Sequence, residues 1–122
     1  MDMRLELVPL PSSDVDRSKS FYVDQVGFLL DHDIEPGNGM RVVQLTPPGS
    51  ACSIVIGTGM GDPDAPRVQN LHLVVDDLDL ARRTLIERGV DVSDINDMGG
   101  GVRYAFFSDP DGNSWALQQL SR

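Results

Sequence analysis

The sequence repeats itself at one fixed spacing, and that repeat limits the folds open to it. Asp14-Val15-Asp16 returns as Asp77-Leu78-Asp79, and Thr46-Pro47-Pro48-Gly49-Ser50 returns as Asp109-Pro110-Asp111-Gly112-Asn113, so a single offset, 14 to 77 and 50 to 113, superposes both pairs. Two copies mark a duplicated supersecondary unit rather than a solenoid, which needs about three or more repeats to bury a continuous core. With 122 residues in all, independent halves of about 60 residues would each be marginal. One domain with a shared core is therefore expected over 1–122, with a first module at about 1–57, a connector at about 58–69 and a second module at about 70–122.

Each copy has the same internal grammar. Arg4 to Pro11 and Asn70 to Val75 alternate apolar residues with polar or small ones, the period of a half-buried strand. Each strand runs into an aspartate, Asp14 or Asp77, a residue that caps a helix by accepting hydrogen bonds from its first free amides. Val15, Ser18, Phe21 and Tyr22, and then Leu78, Ala81, Leu85 and Ile86, recur on one helical face. Helices ending near Gly27 and Gly89 follow. Three strands come after each helix: Phe28 to Asp33, Met40 to Leu45 and Ala51 to Ile56, then Val90 to Ile95, Val102 to Phe107 and Ser114 to Leu120, separated by Gly, Pro and Asn turn signals. Each half thus reads β-α-β-β-β. A sheet with a helix on one face leaves its other face uncovered, and two such sheets curving together would enclose a cavity of the kind that holds small molecules.

Composition removes several function classes. A net charge of −9 repels phosphate backbones and anionic membrane surfaces, so no nucleic-acid or membrane partner is expected. The N-terminus lacks the basic start and apolar run of a signal peptide, and no stretch reaches the roughly 18 apolar residues of a membrane span. A soluble cytoplasmic protein is the expectation. Cys52 is the single cysteine, which leaves no intrachain disulfide and no thiolate metal cluster. Asp31-His32-Asp33 with Glu35 resembles a ligand cluster in composition and is read as a solvated turn.

Ser13-Asp14-Val15-Asp16-Arg17-Ser18-Lys19-Ser20-Phe21-Tyr22 with Gly27-Phe28, then Val75-Asp76-Asp77-Leu78-Asp79, and last Asp109-Pro110-Asp111-Gly112-Asn113-Ser114-Trp115, resemble the successive motifs of the vicinal oxygen chelate superfamily, the glyoxalase, bleomycin-resistance and extradiol-dioxygenase group. The resemblance implies an α+β fold of two βαβββ modules with mixed sheets curved around a central cavity, and a homodimer. It also places the family's metal ligands, usually His or Gln on the first strand and Glu on the last strand of each module, at Leu7, Ser53, Asn70 and Ala116. Leucine and alanine carry no donor, and a catalytic divalent metal needs several imidazole or carboxylate ligands. No metal and no cofactor are therefore expected, and the bleomycin-resistance branch, whose members bind a ligand without transforming it, becomes the nearer analogy.

By strand alternation and by position in the family, the cavity lining is expected to include Arg41, Ser53, Asn70, His72, Tyr104, Phe106, Ala116 and Gln118, with Leu7, Pro9, Pro11, Val43, Val55 and Val74. Such a largely apolar wall with a few polar groups suits a small, partly aromatic or hydrophobic organic ligand. Arg41 is read either as the anchor of an anionic group or as a strand-end side chain reaching solvent. His72 is read either as a hydrogen-bonding wall residue or as the best candidate for a general acid or base. Two function classes stay open: a small-molecule binding protein of the glyoxalase and bleomycin-resistance type, or a lyase, isomerase or dioxygenase-like enzyme of the same group working through His72 or a non-standard metal site.

Overall fold

A computed structural model describes residues 1–120; residues 121 and 122, the end of the expected second module, lie outside the described residues. In chain order the elements are β1 (Leu7–Pro9), α1 (Val15–Ser20) continuing as a π-helical segment (Phe21–Val26), β2 (Leu29–Gly37), β3 (Met40–Thr46), β4 (Ser53–Thr58), β5 (Leu71–Val74), α2 (Leu78–Glu87), β6 (Asn96–Asp97), β7 (Arg103–Ser108) and β8 (Ser114–Gln119). They form two four-stranded mixed sheets of the same plan, β1-β4-β3-β2 and β5-β8-β7-β6. The first and last strands of each module pair in parallel, and the other neighbours pair antiparallel. The expected α+β architecture of two βαβββ modules is what the chain adopts. Among the described residues no helix is long and apolar enough to cross a membrane.

The capping aspartates start both helices. Asp14 accepts from the Arg17 amide at 3.1 Å and Asp77 from the Leu80 amide at 3.0 Å. The first helix then widens into its π-helical turn, where the Gly27 and Phe28 amides both donate to the Tyr22 carbonyl, and Phe21 and Tyr22, although adjacent, are both buried. Gly27 ends it in the left-handed conformation, with φ of 94°, and a Cβ there would stand 2.9 Å from Arg88 Nη1. The left-handed backbone is what favours glycine at this point, since the mobile end of the Arg88 side chain could give way.

The helix-side faces of the two sheets share one core. Val43, Leu45, Ile54 and Ile56 of the first sheet and Ala105, Phe107, Trp115 and Leu117 of the second belong to the same buried cluster as Val15, Phe21, Tyr22, Leu78 and Leu85. Tyr22 stacks on Phe28 at 5.3 Å and meets Trp115 edge-on at 5.9 Å, while Phe107 lies parallel to Trp115 at 6.2 Å. Each large side chain buried in this way contributes roughly 1.5–3 kcal/mol, so the junction between the modules is a main source of stability. The cavity expected between the curved sheets is not closed within one chain. Each sheet turns its helix side to the shared core, and the sheets of one chain do not close around a hollow.

Three strand expectations also change. The first strand forms only over Leu7–Pro9, and residues 1–6 stay exposed. Asp31, His32, Asp33 and Glu35 belong to the long strand β2 rather than to a turn. Val90 to Ile95 does not form a strand, although Val90 and Val92 are buried; the Ser93 hydroxyl accepts from the Phe106 amide at 2.9 Å, taking the place of a ladder partner, and only Asn96–Asp97 pairs with β7.

Candidate functional site

Strand pairing places a compact group on the helix-free face of the second sheet. His72 and Phe106 both pair with Ala116, and Tyr104 pairs with Gln118, so five of the residues selected from the sequence share this face. Trp115 and Leu117, which alternate with Ala116 along the same strand, enter the core instead. Tyr104 and Phe106 lie parallel, with ring centres 6.1 Å apart and planes 8° apart, and His72 stands edge-on to Tyr104 at 5.7 Å. Together they make a small aromatic shelf. Phe106 is 37% exposed and Val74, next along β5, 55%, values that show an apolar surface without a cover.

The polar groups of the shelf have defined roles. Gln118 Nε2 donates to the Tyr104 hydroxyl at 2.9 Å, which leaves the tyrosine hydrogen free to donate outward. His72 Nδ1 lies 2.7 Å from the Asn70 carbonyl oxygen. Since a carbonyl only accepts, Nδ1 carries the proton and neutral His72 offers the lone pair of Nε2. Asn70 serves by its backbone. It stands just before β5 in the left-handed region, with φ of 59°, and its amide donates to Ser114 Oγ at 2.8 Å.

The repeat shifts by two residues at this strand. Leu7 pairs with Ser53, but His72, not Asn70, pairs with Ala116. The Leu10 amide bonds the Val55 carbonyl and the Val75 amide bonds that of Gln118, yet Asp14 follows Leu10 by four residues and Asp77 follows Val75 by two. The link carrying Pro11, Ser12 and Ser13 absorbs the difference. An even shift preserves the face, and His72 faces the open side as expected.

Arg41 and Val43 do not line the open face. Arg41 pairs with Thr58, three residues beyond Val55, whereas Tyr104 pairs with Gln118, the repeat counterpart of Val55. An odd shift of register inverts the faces, so Gln44 stands opposite Val55, Val43 is fully buried in the core, and Arg41 turns to the helix side. There its guanidinium donates twice to Asp33 at 3.0 Å and once to Asp16 of α1 at 2.7 Å, while Lys19 also reaches Asp33 at 2.7 Å. Hydrogen bonds from Arg41 and then Lys19 hold the Asp33 carboxyl well below the usual range, and Asp33 in turn raises Arg41. This cation is committed to the fold.

Ser53 lies apart from the shelf, on the helix-free face of the first sheet beside Leu7. It is joined there by Thr46, expected only in a turn, and by Asp31, expected in a solvated one. Thr46 Oγ1 lies 2.6 Å from Ser53 Oγ and also donates to the Asp31 carboxylate. The residues at the family's metal positions do not fit a catalytic metal: Leu7 and Ala116 offer no donor atom, and among the described residues no three His, Cys, Asp or Glu side chains converge. Two cavities of about 530 and 550 Å³ lie beside the shelf residues and Ser53 without including them. One lies between the connector and the β1–α1 link, beside Leu10, Val15 and Met60, and the other between the π-helical segment and α2, beside Phe28, Pro47 and Arg88.

Comparison with known proteins agrees with this fold. The model of the glyoxalase/bleomycin resistance protein/dioxygenase superfamily matches residues 4–117. Among solved structures, the chain is similar to TnmS3, an antibiotic binding protein from Streptomyces sp. CB03234, with 38% identity, 98% of each chain covered and a TM-score of 0.84. It is also similar to a glyoxalase/bleomycin resistance protein of the same organism, with 38% identity over 95% of this chain and 100% of that one and a TM-score of 0.77. A superfamily member from Sphaerobacter thermophilus DSM 20745 shows 30% identity, coverage of 97% and 98% and a TM-score of 0.83. No protein of curated function matches.

Proposed function

Because the chain belongs to the glyoxalase/bleomycin resistance protein/dioxygenase superfamily, we propose that it binds and sequesters a small organic molecule carrying a planar ring, without a metal. The observation that carries this reading is the uncovered shelf of Tyr104 and Phe106, flanked by His72 and Gln118. Parallel aromatic side chains on a strand offer an apolar plane for offset stacking, worth about 0.5–1.5 kcal/mol per pair beyond burial. The polar edge then fixes orientation. Similarity to an antibiotic binding protein at 38% identity supports sequestration as the purpose.

One sheet alone cannot enclose a ligand. A second copy supplies the cover in this proposal, presenting the open face of its first sheet, with Leu7 and Ser53, to the shelf of the second sheet. Apolar residues exposed on these faces, Leu7 at 39% and Leu29 at 57%, favour such a homodimer, since large uncovered apolar patches mark interaction sites. Sedimentation and titration with 2-naphthol test both parts. The expected result is a dimer that binds the naphthol saturably, with affinity reduced about tenfold by Phe106→Ala, in the range of base or ring stacking on a lost aromatic. A monomer with undiminished affinity would sink the homodimer, and unaltered binding by Phe106→Ala would sink the shelf.

A catalytic reading keeps one observation in its favour. The hydrogen bond from His72 Nδ1 to Asn70 leaves Nε2 as a positioned proton acceptor, the geometry a general base requires. His72→Ala decides between the two readings: a lyase or isomerase loses turnover of its substrate, whereas a binder loses only affinity.

A further inference from the structure

Strand β2 carries a bulge where the open face of the first sheet needs a carboxylate. Leu30 pairs with Leu45 and His32 with Gln44, so Asp31 is an extra residue inserted between two paired positions. Bulges of this kind re-aim a side chain and often sit beside functional sites. Here the insertion brings Asp31 to the hydroxyl of Thr46, which in turn lies 2.6 Å from the hydroxyl of Ser53. Ser53 retains 7% exposure, at the floor of the face, next to Leu7.

Counting hydrogens gives this chain a direction. A carboxylate only accepts, and a threonine hydroxyl has one hydrogen to give, so the Thr46 hydrogen goes to Asp31. The Ser53 hydrogen must then go to Thr46 Oγ1, since the two hydroxyls are within bonding distance and Thr46 has none left. Ser53 is left with lone pairs alone facing outward.

We propose that Asp31, acting through Thr46, holds Ser53 as an obligate hydrogen-bond acceptor, so that the protein selects ligands presenting a hydroxyl or amine donor at this point and rejects their capped analogues. The inference rests on the binding reading above and specifies the ligand that reading leaves general. Asp31 and Thr46 are positioning residues and Ser53 is the contact. A neutral or cationic donor suits the site better than an anion, because the Asp31 carboxylate lies one hydroxyl behind Ser53 and the chain carries a net charge of −9. Selectivity of this kind is strong because a ligand without the donor leaves a desolvated acceptor unpaired.

The test compares 2-naphthol with 2-methoxynaphthalene, which differ only in the capped hydrogen, on the native protein and on Thr46→Val, Thr46→Ser and Asp31→Ala. Native protein should prefer the naphthol by about tenfold. Thr46→Val, which cuts the relay and frees Ser53 to rotate, should bring the two probes within about twofold; Asp31→Ala, which removes the acceptor of the Thr46 hydrogen, should move the ratio the same way, and Thr46→Ser should keep it. Equal binding of both probes by native protein, or a ratio unmoved in Thr46→Val, overturns the inference and leaves the binding reading standing. Failure of the native protein to bind either probe overturns both.

Discussion

The two turns that the repeat makes equivalent do opposite kinds of work. Asp109-Pro110-Asp111-Gly112-Asn113 is knotted into the rest of the chain. Asp109 accepts from the Tyr22 hydroxyl at 2.7 Å and from Asn113 Nδ2 at 2.8 Å, and Asn113 reaches the Pro11 carbonyl and the Val68 amide, both at 3.0 Å. Asp111 accepts from Ser13 and Ser18 at the start of the first helix and from Arg67 in the connector. Its counterpart, Thr46-Pro47-Pro48-Gly49-Ser50, is exposed at its tip and bonds locally, Ser50 to Pro47 and Cys52. Duplication has kept the backbone plan and divided the labour. The second turn clamps the modules, while the first leaves Thr46 free to serve the open face.

Paired substitutions at equivalent sites measure that division, and the largest difference is expected at its centre. Asn113→Ala should lower unfolding free energy by about 2–4 kcal/mol, because it takes one of several donors from the buried Asp109 carboxylate and removes the side-chain partner of the Pro11 carbonyl and of the Val68 amide at once. Ser50→Ala, at the same place in the other copy, should cost less than about 0.5 kcal/mol, as exposed substitutions usually do. Chemical denaturation reads both, and equal losses would erase the distinction between the turns. Next in size is Tyr22→Phe. The phenol donates to Asp109 and accepts from Trp115 Nε1 at 2.9 Å, and burial, with the nearby Asp109 carboxylate, pushes its pKa far above the ordinary phenol range. Removing the hydroxyl should cost about 1–3 kcal/mol.

Acid sharpens the comparison from another side. Burial opposes the charge of Asp111, but hydrogen bonds from the Ser13 hydroxyl and amide and from Ser18, with the Arg67 charge, outweigh it and hold the carboxyl below its ordinary 3.8. A group depressed in the folded state adds stability that is complete above its unfolded value and is lost as pH falls through the folded one. Stability should therefore drop on acidification below about pH 4, and Asp111→Asn should flatten that limb at a cost of about 1–2 kcal/mol at neutral pH. The smallest change is expected on the open face, where His72→Ala should move stability by less than about 0.5 kcal/mol while weakening any ligand held by Nε2.

Most of the fold was legible because its signals are local: alternation, capping aspartates and turn residues each act within a few positions. The shelf was legible for the same reason, since parity along β5, β7 and β8 carried His72, Tyr104, Phe106, Ala116 and Gln118 to one face. Arg41 and Val43 were misplaced because their assignment carried the repeat across a hairpin whose register changes by an odd number of residues, which no residue type announces. Asp31 was read with its acidic neighbours as a solvated turn, and Thr46 only as part of a turn, because a bulge leaves no compositional mark. An aspartate inside an apolar strand was the available hint, and three acids in five residues concealed it.

The chain contains one tryptophan, and the fold has placed it at the seam, 3% exposed and hydrogen-bonded to Tyr22. Its emission is consequently a built-in gauge of whether the halves are together, silent about residues that only touch solvent. Trp115 is also the immediate chain neighbour of Ala116, on the opposite side of the same strand. A guest resting above Ala116 would sit one backbone's thickness from the indole, close enough for a coloured compound to dim it without disturbing the seam.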